Sequence, residues 1–466
     1  MNTPKQKLEF LLQKQKAYSV ERPFPSASQR REHLLLLERT IIEQTDNLLD
    51  ALHQDLGKCP VEAYTSEVGL VLRDIRFAVK KLKKWMKPQH TRNPLFVQPG
   101  RAYVKPAPLG VVLIIGPWNY PFQLLFSPLA AALAAGNAVC LKPSEFAPAA
   151  SRVIHDICRA CFPEEQVSVV QGDHQISADL ATLPFDHIFF TGSAKTGRLV
   201  AQAAASNLIP VTLELGGKSP CVVCDDAPLK KTARRILWGK SLNAGQTCVA
   251  PDHIWVHHSI EQDFLNELKH AARSLTPVRP PDLKQGDYSR IINHLHYDRL
   301  EKLLEGTTIY DGGERDRETL IFAPAILTNV DPSQPVMQEE IFGPVLPVLP
   351  FRSFDDVMQE MYTRPTPLAA YLFTRDRKTM QIFEEHVQAG GICINDSVSH
   401  ILPPDLPFGG LGASGYGSYH GRAGFDRLSH AKPILRRGFT PDLPFRYPPY
   451  AAGLSMIKKA FQFLAG

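Results

Sequence analysis

Residues 109–122, LGVVLIIGPWNYPF, join a short apolar run, Val111–Ile115, to a turn rich in glycine and proline. An apolar run without polar alternation is typical of a strand that is covered on both faces. Similar runs follow at 138–141, 167–170 and 187–190, and helix-like stretches separate them. This alternation predicts an open α/β lobe, in which crossover helices connect the strands of a parallel sheet.

The chain on either side of this lobe completes the predicted architecture. Residues 3–85 carry leucine and isoleucine largely at spacings of three and four, which indicates a helical lead-in. A second series of strand-like runs begins near Val211. It continues through 221–223, 253–257, 346–349, 369–373 and 391–395. Because 466 residues exceed what one hydrophobic core usually fills, we expect two open α/β lobes with parallel sheets and a cleft between them.

Charge and composition narrow the class of protein. Lys and Arg exceed Asp and Glu by 52 − 47 = 5, without a long basic run, so anionic ligands are tolerated and a nucleic-acid partner is not expected. Residues 1–22 show no secretory signal. The apolar region 109–141 is interrupted by glycine and proline, so it cannot cross a bilayer as one helix. Eight cysteines are too few for a disulfide scaffold, which indicates free thiols and a cytoplasmic location.

A cysteine and a glutamate are the first candidates for chemistry. Cys248 ends the small-residue segment NAGQTC, after a helix predicted over 228–240, and a thiolate there is nucleophilic enough to attack an aldehyde carbon. A lone cysteine is more often a packing residue. Glu214 lies at the end of an apolar strand beside a glycine turn, where desolvation raises a carboxyl pKa and favours a general base. By itself it would more often be a surface residue.

The turn after the first strand supplies a third candidate. Asn119 stands in PWNYP, where the carboxyl ends of parallel strands open into a ligand crevice, so its amide is placed to stabilise an oxyanion. Asparagine before Tyr-Pro is also common turn chemistry.

Two segments are candidates for a dinucleotide. Gly192, Ser193 and Gly197 belong to GSAKTG, which follows a strand and opens a helix, so free amides at the helix start can receive a pyrophosphate. Lys142 and Glu145 follow the second strand and are placed to hold ribose hydroxyls, with a solvated turn as the alternative. The G-x-G-x-x-G match at 410–415 follows no strand, so we reject it.

Metal binding and the C-terminal tail are weaker features. The C-x-x-C pairs Cys158/Cys161 and Cys221/Cys224 fall in a predicted helix and a predicted strand, so no metal is expected. The tail from Leu454 onward places Leu454, Ile457, Phe461 and Leu464 on one helical stripe beside Lys458 and Lys459. Docking of this stripe on the protein's own body is favoured, and contact with a membrane surface is the alternative.

In combination these segments resemble the aldehyde dehydrogenase superfamily, the class 3 branch in particular, over about residues 5–440. The matching segments are GPWNYPF from Gly116, LKPSE from Leu141, FTGSAKTG from Phe190, LELGGKSP from Leu213, GQTC from Gly245, EEIFGPV from Glu339 and PFGGLGASGYGSYHG from Pro407.

The resemblance implies a role for each matching residue. Cys248 would be the nucleophile and Glu214 the base, with Asn119 and the Cys248 backbone amide as the oxyanion hole. The cofactor would be NAD or NADP. The cofactor residues implied are Trp118, Lys142, Glu145, Gly192, Ser193, Gly197, Leu215, Glu340 and Phe342, and Tyr120 and Phe408 would form the wall of the aldehyde tunnel. Class 3 members act on medium and long aliphatic or aromatic aldehydes and often accept both cofactors; Glu145 would repel a 2′-phosphate, which favours NAD.

The resemblance also implies a division of the chain and a dimer. Residues 1–82 and 104–210 would form the cofactor-binding domain and 211–414 the catalytic domain. Residues 83–103 and 415–440 would form a small β bridging segment that assembles a homodimer, and 441–466 a tail. Two rival functions stay open at this point. One is a thiol hydrolase that uses the same cysteine, and the other is a catalytically silent binding protein.

Overall fold

A block of helices precedes the first sheet, as the leucine spacing predicts. The computed structural model describes residues 3–94, 97–275, 287–440, 442, 447–449 and 453–465 of the chain. The block consists of α1 (Pro4–Glu21), α2 (Ala27–Glu43), α3 (Thr45–Leu56), α4 (Pro60–Ala63), a π-helical turn (Tyr64–Val68) and α5 (Gly69–Trp85). Thr3 and Ser26 cap α1 and α2 through reciprocal hydrogen bonds with glutamine three residues on, which fixes where both helices begin.

A small antiparallel sheet follows and joins two distant parts of the chain. Its strands are β1 (Gln89–Thr91), β2 (Gly100–Pro108) and, near the end of the chain, β18 (Ser429–Arg437). Strand β2 lies in the middle, and Gly100 to Pro108 pair with Arg437 to Ser429 without a bulge. The two segments that the resemblance assigns to the bridge are therefore hydrogen-bonded to each other.

The first large sheet has the order β17-β7-β6-β3-β4-β5. Its strands are β3 (Val111–Ile115), β4 (Ala138–Lys142), β5 (Val167–Val169), β6 (His187–Gly192), β7 (Val211–Leu215) and the antiparallel edge β17 (Gly415–Tyr416). Its crossover helices are α6 (Gln123–Ala135), α7 (Pro148–Cys161), α8 (His174–Ala181) and α9 (Ala194–Ala205). The strand order reverses between β3 and β6, so a crevice for ligands opens where these two strands end.

Burial in β3 shows why the sequence lacks polar alternation there. All five residues are buried, and Val112 and Ile114 pack into one core while Val111, Leu113 and Ile115 pack into another. Successive side chains of a strand point to opposite faces, so both faces must be covered by apolar groups.

The second large sheet has the order β10-β13-β14-β9-β8-β15-β16. Its strands are β8 (Pro220–Val223), β9 (His253–His257), β10 (Thr308–Gly312), β13 (Ala325–Thr328), β14 (Val345–Phe351), β15 (Ala369–Phe373) and β16 (Gly391–Ile394), and β11 (Arg315–Asp316) pairs with β12 (Ile321–Phe322) beside it. The helices of this part are α10 (Leu229–Ser241), α11 (Glu261–Leu275), α12 (His294–Leu303), α13 (Pro335–Gln338), α14 (Phe354–Thr363) and α15 (Arg377–His386). Helix α16 (Gly421–Arg427) packs against α5, α6 and β18. The predicted mixed α/β fold with parallel sheets is confirmed.

One strand assignment from the sequence is wrong. We expected the second series to begin near Val211, but β7 pairs in parallel with β6 and so belongs to the first sheet. The second sheet begins at β8, after the short connection 216–219. A fully buried strand looks the same in either sheet, so the apolar pattern alone cannot show which neighbour it pairs with. The boundaries of the domains stay a prediction.

The C-terminal tail forms a helix, α17 (Leu454–Ala465), whose apolar side chains are largely exposed. Leu454, Met456 and Phe461 are 67%, 60% and 62% exposed. On this stripe Leu454 and Phe461 are therefore mostly exposed, whereas Ile457 is half-buried. Docking of the stripe on the protein's own body stays a prediction; the side chain of Leu464 lies outside the described part. Among the described residues, no helix combines the length and apolarity that crossing a membrane requires.

Candidate active site

Cys248 follows α10 on a tightly constrained turn. Asn243 and Ala244 both adopt left-handed backbone conformations, with φ of 50° and 52°, which non-glycine residues rarely do twice in succession. The Asn243 amide donates its backbone N–H to Glu62 Oε1 at 2.6 Å. Strain of this kind persists only where surrounding contacts enforce it, and it is concentrated at functional sites. The turn places the Cys248 side chain, which is half-buried, in the lining of two cavities.

The larger cavity, of about 700 Å³, brings the three predicted catalytic residues together. Asn119, Glu214 and Cys248 all line it, although they come from the loop after β3, the end of β7 and the turn before β9. The thiol that the sequence singles out is therefore neither remote from the crevice nor sealed in a core.

Glu214 has the surroundings of a general base. Its side chain is 3% exposed, and neither carboxylate oxygen has a hydrogen-bond partner in the described part of the chain. Burial raises the pKa of this carboxyl well above its usual range. An unpaired buried carboxyl is costly, so the fold keeps here a group that can bind a proton or polarise a water molecule near neutral pH.

The surroundings of Cys248 disfavour ionisation of its thiol. Burial raises the pKa of this thiol to about 12, and the carboxyls of Glu340 and Glu214 add to the effect. A thiolate at Cys248 would add negative charge to a cavity that contains two carboxyl groups and admits little solvent, so the thiol form is favoured.

Asn119 is fixed at both ends by hydrogen bonds. Its side-chain Nδ2 donates to the backbone carbonyl of Gln246 at 2.9 Å, and its backbone carbonyl accepts from Asn243 Nδ2 at 2.8 Å. A primary amide carries two hydrogens, so one remains for an oxygen in the cavity. The side chain is 2% exposed, which keeps competing water away.

The same cavity contains features that fit a dinucleotide. Its lining includes Gly192 and Ser193 at the start of α9, and Ser193 caps that helix by accepting from the Thr196 amide. The remaining first-turn amides and Lys195 favour an anionic pyrophosphate. At Gly197, an added Cβ would lie 2.6 Å from Leu215 Cδ2, so only glycine lets α9 pack this closely on β7.

Glu340 and Phe342 face this cavity from the segment after α13. Burial raises the pKa of Glu340 to about 8, and Asp252 contributes. An added Cβ at Gly216 would lie 2.0 Å from Glu340 Oε2, so the carboxyl rests against the glycine turn after β7. Phe342 has a φ of 47° and meets the Trp118 ring edge-on at 5.4 Å. A carboxylate and an aromatic wall are groups that suit a ribose and a nicotinamide ring.

Two predicted ribose residues lie apart from this lining. Lys142 Nζ is 3.6 Å from Glu145 Oε2 and donates to the Pro143 carbonyl at 2.7 Å. The lysine side chain is 1% exposed and the glutamate 31%. They stand at the end of β4, which neighbours β3 in the sheet. Their pairing gives no test of ribose binding, so that role stays a prediction.

The second cavity, of about 240 Å³, is a mostly apolar tunnel that also reaches Cys248. Tyr120 and Phe408 line it, as the resemblance implies. The Tyr120 hydroxyl shares a hydrogen bond with Thr247 Oγ1 at 2.6 Å, which ties the tunnel wall to the residue before the nucleophile. Phe408 lines both cavities, so its ring lies at their junction.

Sequence reasoning missed several lining residues. His296 and Arg299 lie one helical turn apart on α12 and face the larger cavity, where the Trp118 ring is 4.9 Å from that of His296. Their i, i+3 spacing was a signal, but two polar residues on a helix more often lie on a solvated face. Trp238 and His420 line the tunnel and were also missed; both side-chain nitrogens of His420 are buried without a partner in the described residues.

The remaining motifs do not converge on the cavities. Cys158 and Cys161 lie in α7, and Cys221 and Cys224 lie in or beside β8. Within the described ranges, no three His, Cys, Asp or Glu side chains cluster as metal ligands would. Residues 412–414 form a 3-10 turn that precedes β17, so the rejected glycine motif indeed lacks the strand-turn-helix context.

Comparison with known proteins shows the family of the chain. The family model described as "Aldehyde dehydrogenase family" matches residues 15–434. The 4,4'-diaponeurosporen-aldehyde dehydrogenase of Staphylococcus aureus is 42% identical over 436 residues, 93% of this chain and 94% of that protein. Aldehyde dehydrogenase family 3 member A2 of Macaca fascicularis is 41% identical over 90% of this chain and 87% of its own length. The structure of substrate-bound AldH from Staphylococcus aureus superposes with a TM-score of 0.94 at 41% identity, covering 99% and 100% of the two chains.

This chain therefore belongs to the aldehyde dehydrogenase family. It is an enzyme that oxidises aldehydes with NAD or NADP, and its similar relatives include members of the class 3 branch. The silent-scaffold and thiol-hydrolase alternatives are thereby set aside.

Proposed function

We propose that the enzyme oxidises apolar aldehydes to carboxylic acids through a thioester on Cys248. One observation carries this proposal: the Cys248 side chain lies in the lining of both the apolar tunnel and the cavity that holds Asn119 and Glu214. An aldehyde that enters through the tunnel would bring its carbonyl to the sulfur with the oxyanion donor and the base at hand.

The chain's residues act in sequence. The Cys248 sulfur adds to the carbonyl carbon, its proton passes to Glu214 or to solvent, and the free Asn119 hydrogen and the Cys248 backbone N–H bind the new oxyanion. Such a donor contributes about 3 kcal/mol to the transition state. A bound nicotinamide ring would supply the acceptor for the hydride that leaves the carbon. Glu214, having released to solvent any proton that it took from the thiol, then takes a proton from a water molecule that attacks the thioester. It returns this proton to the departing sulfur, which restores the thiol as the acid leaves.

The residues that would hold the cofactor are those facing the larger cavity together with the pair after β4. Gly192, Ser193 and Gly197 would lie along the pyrophosphate. Trp118, Leu215, Glu340 and Phe342 would surround the nicotinamide half, and Lys142 and Glu145 the adenosine ribose. Glu145 is 31% exposed beside Lys142, so its negative charge supports a preference for NAD over NADP.

The tunnel supports medium or long aliphatic and aromatic aldehydes as substrates. Its apolar wall favours hydrocarbon over polar chains, because moving apolar surface from water into the tunnel is favourable, whereas polar groups would lose their hydrogen bonds to water there. The Staphylococcus aureus relative is named for a long, apolar aldehyde, which agrees with this class.

We further propose a cytoplasmic homodimer that touches membranes through α17. The bridging sheet supports the dimer because β18 is an edge strand, whose unpaired backbone groups can bind another chain, and its Leu435 is 54% exposed. Sedimentation at twice the mass of the chain would support the dimer. The exposed apolar stripe of α17, flanked by Lys458 and Lys459, supports the membrane contact.

The test of the proposed function is a steady-state panel of aliphatic and aromatic aldehydes with NAD and then NADP, followed through reduced-cofactor absorbance. We expect turnover that rises with chain length or aromatic area and is faster with NAD. Cys248→Ala should abolish it, whereas Cys224→Ala, a matched removal of a thiol outside the cavities, should not. Ester or thioester cleavage without cofactor reduction by the wild type would contradict the proposal.

A further inference from the structure

A buried ion pair holds the segment that carries the predicted oxyanion donor. Lys58 Nζ lies 2.5 Å from Glu67 Oε1, and both side chains are fully buried. Lys58 Nζ also donates to the Asn119 carbonyl at 2.9 Å. Glu67 Oε2 accepts from the backbone amides of Phe122 and Gln123 at 2.9 and 3.2 Å. Both members of the pair therefore bind the backbone of the same five-residue segment.

The local helix geometry turns Glu67 toward this segment. Glu67 lies in the π-helical turn Tyr64–Val68, which interrupts the α-helical stretch between α4 and α5. A π turn inserts an extra residue and so rotates the side chains that follow it relative to a regular helix. The Tyr120 ring is also 4.0 Å from Lys58 Nζ, so the lysine contacts two successive residues of the segment.

Stability alone does not account for a pair of this kind. Two charges lose their hydration on burial, and apolar side chains of similar volume usually stabilise a core at least as well. What a buried pair supplies is direction, because each hydrogen bond is lost if a partner moves by about an ångström. Among the described residues, the side-chain hydrogen bonds that the pair makes outside itself end on residues 119–123.

The Asn119 amide is the group whose direction matters. Lys58 and Asn243 hold the backbone carbonyl of Asn119, and its side-chain Nδ2 donates one hydrogen to the Gln246 carbonyl. The second hydrogen of Nδ2 therefore points in one fixed direction. Catalysis by an oxyanion donor depends on this preorganisation and is lost with small displacements.

We propose that Lys58 and Glu67 are positioning residues for the oxyanion hole: they act on the reaction through Asn119 and touch neither aldehyde nor cofactor. This inference rests on the proposed role of Asn119. It predicts a defect in the addition of Cys248 to the aldehyde, with cofactor affinity unchanged.

The experiment measures the rate of the first turnover of reduced cofactor at saturating NAD and aldehyde. We expect Glu67→Gln, which places an amide opposite the lysine ammonium, to slow it by about 10- to 100-fold. This is less than the about 100- to 1,000-fold for complete loss of one oxyanion donor, because the donor is displaced and not removed. The KM for NAD should stay within about twofold, because no contact of the cofactor cavity changes.

A double-mutant cycle separates positioning from general damage. In the Asn119→Ala background, Glu67→Gln should slow the first turnover by less than about twofold further, since the group that it positions is gone. The neutral pair Lys58→Met/Glu67→Gln, which buries no charge, should fold but stay slow, because the hydrogen bond from Lys58 to the Asn119 carbonyl is lost. Phe383→Leu, a large-to-small change in the other lobe's core, is the control for lost stability, and its rate per folded enzyme should equal the wild type's.

The outcomes are distinct. The positioning role would be overturned if the first turnover of Glu67→Gln were as fast as that of the wild type. It would also be overturned if Glu67→Gln slowed the first turnover by the same factor in the Asn119→Ala background as in the wild type. If Glu67→Gln does not fold, the neutral double variant decides: a first turnover as fast as the wild type's overturns the positioning role, and a rate lowered toward that of Asn119→Ala supports it. A wild-type enzyme that reduces no cofactor would instead reject the proposed function itself.

Discussion

Cys248 is the residue whose chemistry depends most on its surroundings. Burial and two neighbouring carboxyls raise the pKa of its thiol to about 12, so a change in the charges around the thiol would ease its ionisation. Of these neighbours, Glu340 has the larger effect, and with its own pKa near 8 it is ionised before the thiol titrates.

This gives a prediction for the resting enzyme. Alkylation of Cys248 by iodoacetamide should be slow at neutral pH and accelerate as the pH rises toward about 12. Glu340→Gln removes a negative charge that favours the protonated thiol, so the pKa of the Cys248 thiol should fall. Alkylation of Cys248 at about pH 9 should then be faster than in the wild type. The measurement is the labelling rate of the peptide that contains Cys248, and equal rates in the two proteins would disprove the influence of Glu340.

Some site residues were predictable from the sequence and others were not. Cys248, Glu214 and Asn119 each stand beside a strand or helix end that the apolar pattern reveals, and ends of this kind meet in one crevice. Lys58, in the connection between α3 and α4, and Glu67, in a helical turn, are single charged residues, and such residues are usually solvated. Their burial depends on a π turn and on a segment more than 50 residues away, which no local pattern encodes.

At the scale of elements, the helix and strand positions followed from periodicity, while the neighbours of each strand did not. The strand at Val211 was recognised but given to the wrong sheet, because a run buried on both faces carries no mark of its partner. The order reversal between β3 and β6 had to come from the structure, and it is this reversal that opens the crevice.

The tail helix carries a prediction of its own. Removing residues 450–466 should leave aldehyde oxidation in detergent-free buffer intact, since none of the described side chains of α17 lines either cavity. It should lower binding to vesicles that contain anionic lipid, because the exposed apolar stripe and Lys458 and Lys459 are lost. Co-sedimentation with vesicles measures this. Equal binding by the full and shortened chains would remove the proposed membrane contact.

At the scale of the whole molecule, the site exists only because the two large sheets face each other. The first supplies Asn119 and Glu214, and the turn that leads into the second supplies Cys248. Neither sheet alone contains a complete set of nucleophile, base and oxyanion donor. Composition and periodicity could predict two lobes and a cleft, but not which strand ends meet across it.

The central claim is that the acyl group resides on Cys248 until Glu214 activates water. The most direct measurement is mass spectrometry of Glu214→Gln after incubation with a medium-chain aldehyde and NAD. The peptide that contains Cys248 should carry the mass of the aldehyde less two hydrogens, with one equivalent of NADH formed and no further turnover. An unmodified Cys248 peptide together with steady-state turnover equal to that of the wild type would contradict the account.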